Sequence, residues 1–343
     1  MKITVLTYLE KEGGKVSDVA VEQVAEALRQ GGHTVSLLGV HGDIRKLMNG
    51  LVRRKPEVVF NLLESFGDDP RGYISAAGVL DLLGFPYTGG GPGELYLQED
   101  KALTKKLLAF DQINYPDFTL FSRDSDLETG GRLRMPLFVK PLTLDASLGI
   151  DGNSLVHSAT EMMQRVLKIH EKVNDSALVE EYIEGREFYV GVLGNQDPIA
   201  FPPIEIDFSG LPDGTPHVMD AKAKWDTNSA EYRGTKVVVA QVTDEVRARL
   251  QKVALTAYRA LRVRDYGRID MRLAEDGEVY VIEVNASCYL ERASEFAMGA
   301  AAHGFDFPAL INRIVEEAVK RRQRPLAPSR SHRRRSQQKT PAT

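Results

Sequence analysis

Residues 266–285, YGRIDMRLAEDGEVYVIEVN, alternate apolar and polar side chains on either side of the short polar run AEDGE, the pattern of a β-hairpin. On a strand, residues two apart share a face, so Arg268, Asp270 and Arg272 project together from the first strand. On the second, Val281, Glu283 and Asn285 are expected on one face and Ile282 and Val284 on the other. If the strands pair in register, Asp270, Glu283 and Asn285 bring three oxygen donors together beside Arg268. Magnesium asks for an oxygen-rich, weakly caged site of this kind, with phosphate oxygens completing the octahedron. The same pattern also suits a solvated hairpin face carrying cross-strand ion pairs.

The chain has 343 residues, 43% of them hydrophobic and 27% charged, which fits a globular protein of two or three domains. A single cysteine, Cys288, excludes an intramolecular disulfide and a cysteine-based zinc site, so a reducing, cytoplasmic location is expected. The opening MKITVLTYLEKEGG breaks its apolar run with charge and reads as a first strand, neither a signal peptide nor a membrane span. No membrane partner is expected. The last 24 residues hold nine Lys or Arg and no acid, so residues 1–319 carry a formal −13 beneath a total of −4. The tail from residue 324 is Pro-, Ser- and Arg-rich and is expected to be disordered. It lacks interleaved aromatics, so nucleic acid is not expected as a partner and a solubilising extension is the favoured reading.

Strand and helix signals alternate over the first 97 residues and spell a doubly wound parallel sheet, which binds ligands at the carboxyl ends of its strands. A small α+β unit follows over residues 98–184, with a helix from Glu99 to Phe110 and another from Ala159 to Val173. Residues 185–323 read as a larger domain of antiparallel strands, including HVMDAKAKW (217–225), with the hairpin and the closing helix FPALINRIVEEAVKRR. Lys140 ends the apolar strand LFVKP, and the loop DASLGIDGN after it offers Ser147 and free N–H groups that could wrap phosphates. Lys101 opens the helix DKALTKKLL, and VEEYIEGREF supplies Glu180, Glu181 and Glu187. Two lysines, a small-residue loop and a carboxylate and amide set together describe a nucleoside triphosphate site, although each lysine alone would be an ordinary surface residue.

The ordered run of DKALTK (100–105), FVKP (138–141), VEEYIEGREF (179–188), GRIDMRL (267–273) and VIEVN (281–285) resembles the ATP-grasp superfamily, and within it D-alanine:D-alanine ligase. The likeness spans residues 1–320 and includes FNLLE and LGFPYTGGG near the start. It implies a three-domain ATP-grasp fold, α/β and α+β, in which ATP is clamped between the central and C-terminal domains. Lys101 and Lys140 would hold phosphates with Lys224, Glu180 and Ile183 the adenine edge, and Glu187 the ribose, with Glu181 and Ile282 completing the nucleotide contacts. Asp270, Glu283 and Asn285 would bind two magnesium ions, with manganese as an alternative, and Arg268 and Ser147 would serve the chemistry. Residues 226–236 would form a closing lid, and the first domain would pair two chains into a homodimer. The implied reaction activates a carboxylate as an acyl phosphate, which an amine attacks, probing small-molecule substrates rather than macromolecules.

Departures from the family pattern cluster on the substrate side. An amino-anchoring glutamate is absent near Gly13, and Glu64 and Ser65 stand where a histidine is common. Ala146 and Trp225 replace a serine and a tyrosine. The asparagine is followed by Ala286, Ser287, Cys288 and Tyr289 instead of Thr and Pro-Gly, so Cys288 and Tyr289 would line the acceptor pocket, with Ser294 at the place of a carboxylate-binding serine. The pattern implies an ATP-dependent carboxylate–amine ligase acting on amino acids or small peptides other than two D-alanines. Its rivals are a true D-alanine:D-alanine ligase with a divergent pocket and a non-catalytic nucleotide-binding protein. A nucleophilic role for Cys288 is disfavoured because no histidine lies near it in sequence.

Overall fold

The computed structural model describes residues 1–122, 128–130, 133–144 and 147–322, so the expected tail at 324–343 and Ala146 lie outside the described residues. Strands β1 (Lys2–Tyr8), β2 (Thr34–Val40) and β3 (Val58–Leu62) form a parallel sheet in the order β2-β1-β3. They alternate with α1 (Val19–Gln30), α2 (Ile44–Arg54) and α3 (Gly72–Leu83), as the apolar periodicity predicts. Asp18 and Asp43 start α1 and α2 by accepting hydrogen bonds from first-turn N–H groups.

The helix expected over Glu99–Phe110 is α5 (Lys101–Phe110), and a further helix, α4 (Pro92–Glu99), which the sequence reading missed, precedes it. Pro92 sits in the first turn of α4, where its missing N–H costs nothing, and Asp100 separates the pair by capping Leu103 N–H of α5. An antiparallel sheet follows in the order β5-β4-β8-β6-β7, built from β4 (Phe118–Phe121), β5 (Glu128–Gly130), β6 (Leu137–Pro141), β7 (Leu155–Val156) and β8 (Ala177–Glu181). Helix α6 (Ala159–Lys168) runs on into one wider turn, Ile169–Val173, ending where expected.

The third sheet has the order β12-β11-β9-β13-β14, with β10 beside β9. Its strands are β9 (Gly185–Leu193), β10 (Ile199–Ala200), β11 (Ile204–Asp207), β12 (Lys236–Val239), β13 (Tyr266–Ala274) and β14 (Val279–Asn285). HVMDAKAKW is not a strand. Asp220 accepts from Ala223 N–H and starts the short helix α7 (Ala221–Trp225), and Ser229 likewise starts α8 (Ala230–Gly234) inside the expected lid. Helix α9 (Asp244–Ala260) is capped by Thr243, and α10 (Glu295–His303) and α11 (Phe307–Arg322) end the described chain. The sequence reading missed α10, although Ser294 followed by Glu295 is an N-terminal helix signal.

Burial then assigns the faces. Phe188, Val190, Ile269 and Met271 pack under Leu250, Ala254 and Tyr258 of α9, so one side of the third sheet is closed. The residues between them on β9 and β13, namely Glu187, Tyr189, Asp270 and Arg272, face the other way. Helices α10 and α11 reach back to the first sheet, where Phe296, Leu310 and Ile314 pack with Ile3, Val5 and Phe60.

Candidate active site

A cleft between the second and third sheets gathers Lys140, Ser147, Glu180, Glu181, Ile183, Glu187, Lys224, Asp270, Ile282 and Glu283 along its walls. The hairpin supplies one wall. Arg268 pairs with Asn285 and Asp270 with Glu283, but Met271 pairs with Val281, so a bulge leaves Ile282 as the extra residue. The expected alternation is therefore corrected. Val281 turns into the core with Val279 and Val284, while Ile282 and Glu283 both line the cleft.

Buried ion pairs organise the walls. Arg268 donates to Asp270 Oδ1 at 2.7 Å and Oδ2 at 2.9 Å, reaches Glu295 at 3.1 Å, and stacks 4.5 Å from the Tyr189 ring centre. Asn285 Nδ2 donates to the same Asp270 Oδ2 at 3.1 Å. Burial pushes the Asp270 carboxyl up to about 6 against the pull of Arg268. Glu283 also loses solvent, but Lys101, Lys140, Lys224 and Arg268 more than offset that and hold it down to about 2. Lys101 Nζ lies 3.3 Å from Glu283 Oε1 and donates to the carbonyl of Leu144 at 2.9 Å. In the second sheet, Glu180 is held between Lys140 at 2.7 Å and Lys105 at 3.0 Å.

Glu187 receives Arg272 at 2.7 Å and the Tyr189 hydroxyl at 3.0 Å, and Arg272 also donates to the Ile183 carbonyl at 3.0 Å. Glu181 accepts from Arg134 Nε at 3.0 Å. Ser147, at φ 61°, donates its hydroxyl to the Met219 carbonyl at 2.7 Å and so ties the loop after β6 to the segment before α7.

The sequence-assigned substrate residues lie apart from this cleft's lining. Cys288 is buried in the core with Tyr266 and Phe296, and loss of solvent pushes its thiol up to about 12, which removes the thiolate a nucleophile needs. The Tyr289 hydroxyl donates to Asp18 Oδ1 at 2.8 Å, joining the turn after β14 to the start of α1. Ser294 caps α10 through Ala297 N–H, Ser65 donates to the Asp69 carbonyl at 3.2 Å, and Glu64 is exposed; burial raises the Tyr266 and Tyr289 phenols, and the Glu64 charge adds a little to both. The sequence reading missed Lys105, Arg272 and Tyr189 as members of the site. A lysine or arginine within an otherwise apolar, periodic element was the available signal, because such a residue is buried only with a partner.

Among the described residues no three His, Cys, Asp or Glu side chains gather as a metal cage. The facing pair Asp270 and Glu283 with the Asn285 amide is nevertheless a hard-oxygen set that fits magnesium sharing its shell with phosphates. No described helix is long and apolar enough to cross a membrane.

Two antiparallel sheets enclosing such a cleft, behind a parallel first sheet, form the ATP-grasp fold. A solved D-alanine–D-alanine ligase of Bacillus anthracis complexed with ATP shares it, with a TM-score of 0.73 and 22% identity over 94% of this chain and 98% of that chain. The chain belongs to the D-ala D-ala ligase C-terminus family, whose model matches residues 106–316. An uncharacterized protein of Sinorhizobium fredii, y4sG, is 31% identical over 90% of this chain and 88% of its own length. The D-alanine–D-alanine ligase of Aquifex aeolicus is 29% identical over 92% of this chain and 100% of its own.

Proposed function

We propose that this protein is an ADP-forming ligase that joins a carboxylate to an amine, both drawn from amino acids or small peptides. One observation carries the reading: Lys140 with Glu180 and Asp270 with Glu283 face a single cleft from two different sheets. In the reaction the carboxylate takes the terminal phosphoryl group of ATP, the amine displaces phosphate from the acyl phosphate, and an amide, ADP and phosphate result.

Lys140, Lys101 and Lys224 are the cations we assign to the phosphates, Glu180, Glu181, Ile183 and Ile282 to the base, and Glu187 to the ribose. Magnesium, held by Asp270, Glu283 and Asn285, would offset phosphate charge; two ions, with manganese as a substitute, complete this reading. Arg268 is a permanent cation, raised further by Asp270 and Glu295 despite burial, and it supplies fixed positive charge for an oxyanion developing at the acyl carbon. The Ser147 bond to Met219 fixes the loop that, with the segment carrying α7 and α8, would keep water from the acyl phosphate. Glu64, Ser65, Cys288, Tyr289 and Ser294 mark the substrate side, where Glu64 and Tyr289 present polar groups and Cys288 and Ser294 shape the wall. We divide the chain at 97/98 and 184/185, and assign it to the cytoplasm with a homodimer through the first domain.

A second reading makes both substrates D-alanine. It is favoured by the names of curated relatives such as the Aquifex ligase, while the departures at Ala286, Ser287, Cys288 and Tyr289 speak for other substrates. Both are tested by ADP release with magnesium and ATP over a panel of amino acids, including D-alanine, dipeptides and small carboxylates, with mass detection of the amide. Release that tracks a particular pair supports the ligase. Nucleotide binding with no pair stimulating turnover returns the protein to a non-catalytic binding role.

A further inference from the structure

Glu180 has two lysine partners where one would neutralise it. Lys140 Nζ lies 2.7 Å from Oε1 and Lys105 Nζ lies 3.0 Å from Oε2. Lys105 reaches in from α5, is only 1% exposed, and its Nζ, like Glu180 Oε2, has no partner in hydrogen-bonding geometry among the described residues. Burial lowers the Lys105 ammonium pKa, with Glu180 opposing and Lys140 adding to the shift. Burial alone would raise Glu180, yet the two lysines hold it below the usual carboxylate range. The charged groups facing Lys105 are Glu180 from β8, Lys140 from β6 and Glu283 from β14. Desolvating a second cation beside a paired carboxylate is costly, and the cost is met when the first partner is drawn elsewhere. Lys140 is the partner that phosphate oxygens would draw away.

We propose that Lys105 is a positioning residue for base selection: it keeps Glu180 an aimed anion when Lys140 turns to phosphate, so the site takes a purine with a 6-amino donor and rejects one with a 6-oxo group. This rests on the assignment of Glu180 to the base edge made above. A fixed carboxylate accepts from an amino group and has no proton to give a carbonyl. Without the Lys105 counter-ion the carboxylate takes up a proton or swings free, and a carboxylic acid donates to a carbonyl, so the choice relaxes.

Binding of ADP and IDP to the full-length protein, measured by calorimetry with magnesium, tests this without knowledge of the amine or carboxylate. Lys105→Met is expected to cut the preference for ADP over IDP by about tenfold or more, Lys105→Arg to retain most of it, and Glu180→Gln to lose it. If Lys105→Met keeps the preference while Glu180→Gln loses it, the inference about Lys105 is overturned and the base assignment stands. If Glu180→Gln also keeps it, the base assignment itself fails. Should Lys105→Met not fold, Lys105→Gln, which keeps a donor without charge, is judged by the same criteria.

Discussion

Asp270 and Glu283 stand opposite each other across β13 and β14, one step before the bulge that turns Ile282 into the same cleft. Two carboxylates at this spacing would repel, and their surroundings answer each one differently: Arg268 is bidentate on Asp270, while Lys101 sits at Glu283. Replacing either by its amide keeps shape and removes a hard anionic donor. Asp270→Asn and Glu283→Gln are each expected to lower turnover by about 100-fold or more, the range for losing one preorganised charged group, while the fold is retained. Turnover within a few fold of the parent in both variants would sink the metal assignment.

Glu187 and Arg272 form a buried pair lining the cleft, at 7% and 4% exposure, and the Tyr182 ring lies 4.7 Å from the guanidinium. Arg272→Met would strand a buried carboxylate, and a loss of about 3–5 kcal/mol is expected in denaturant unfolding. The double variant Glu187→Gln with Arg272→Met should recover part of that loss, because no unpaired charge remains. Equal destabilisation of the single and double variants would show that packing, not charge, sets the cost.

Short-range pattern exposed much of this site and long-range pairing hid the rest. The strand period placed Arg268, Asp270 and Arg272 on one face, and the structure keeps them there. The same period misassigned Val281 and Ile282, because a bulge adds one residue to β14 with no Gly or Pro to mark it. HVMDAKAKW has strand-like residues, but the Asp220 cap and the alanines after it win locally. Lys105 and Glu180 lie 75 residues apart, and Arg272 and Glu187 lie 85 apart, so no local signal announces either pair.

The same carboxylates give opposite pH signatures. Glu283 is depressed from 4.5 to about 2, so it contributes stability that is present above about pH 4.5 and is lost as pH falls toward 2. Asp270 is raised from 3.8 to about 6, so its contribution is favourable below about pH 4 and is lost as pH rises through 6. Urea unfolding of the parent and of Glu283→Gln should therefore show a stability gap at about pH 6 that narrows below about pH 4.5 and closes only as pH falls through about 2. For Asp270→Asn the gap should move the other way, with the variant gaining relative to the parent between about pH 4 and 6. Gaps that do not vary with pH would contradict both shifts.

Tyr289 links two parts of the chain that are otherwise 271 residues apart, its hydroxyl bonded at 2.8 Å to Asp18, which also caps α1 through Ala20 N–H. Tyr289→Phe removes that bond and nothing else of the ring. A partly exposed neutral donor on a carboxylate contributes about 1 kcal/mol, so the thermal midpoint should fall only slightly. The effect on catalysis should be selective. The turn that carries Tyr289 follows Asn285 directly and approaches α1 and α4, where Gln98 Oε1 of α4 accepts from Ser287 N–H at 3.2 Å, whereas the wall proposed for the nucleotide is built from β6, β8 and β9. KM for the amine or carboxylate should therefore rise several fold while KM for ATP stays near the parent value. A shift in KM for ATP alone would instead place Tyr289 in the closing of the nucleotide cleft, and Asp18→Asn, which keeps the α1 cap but weakens the acceptor, should reproduce whichever pattern Tyr289→Phe gives.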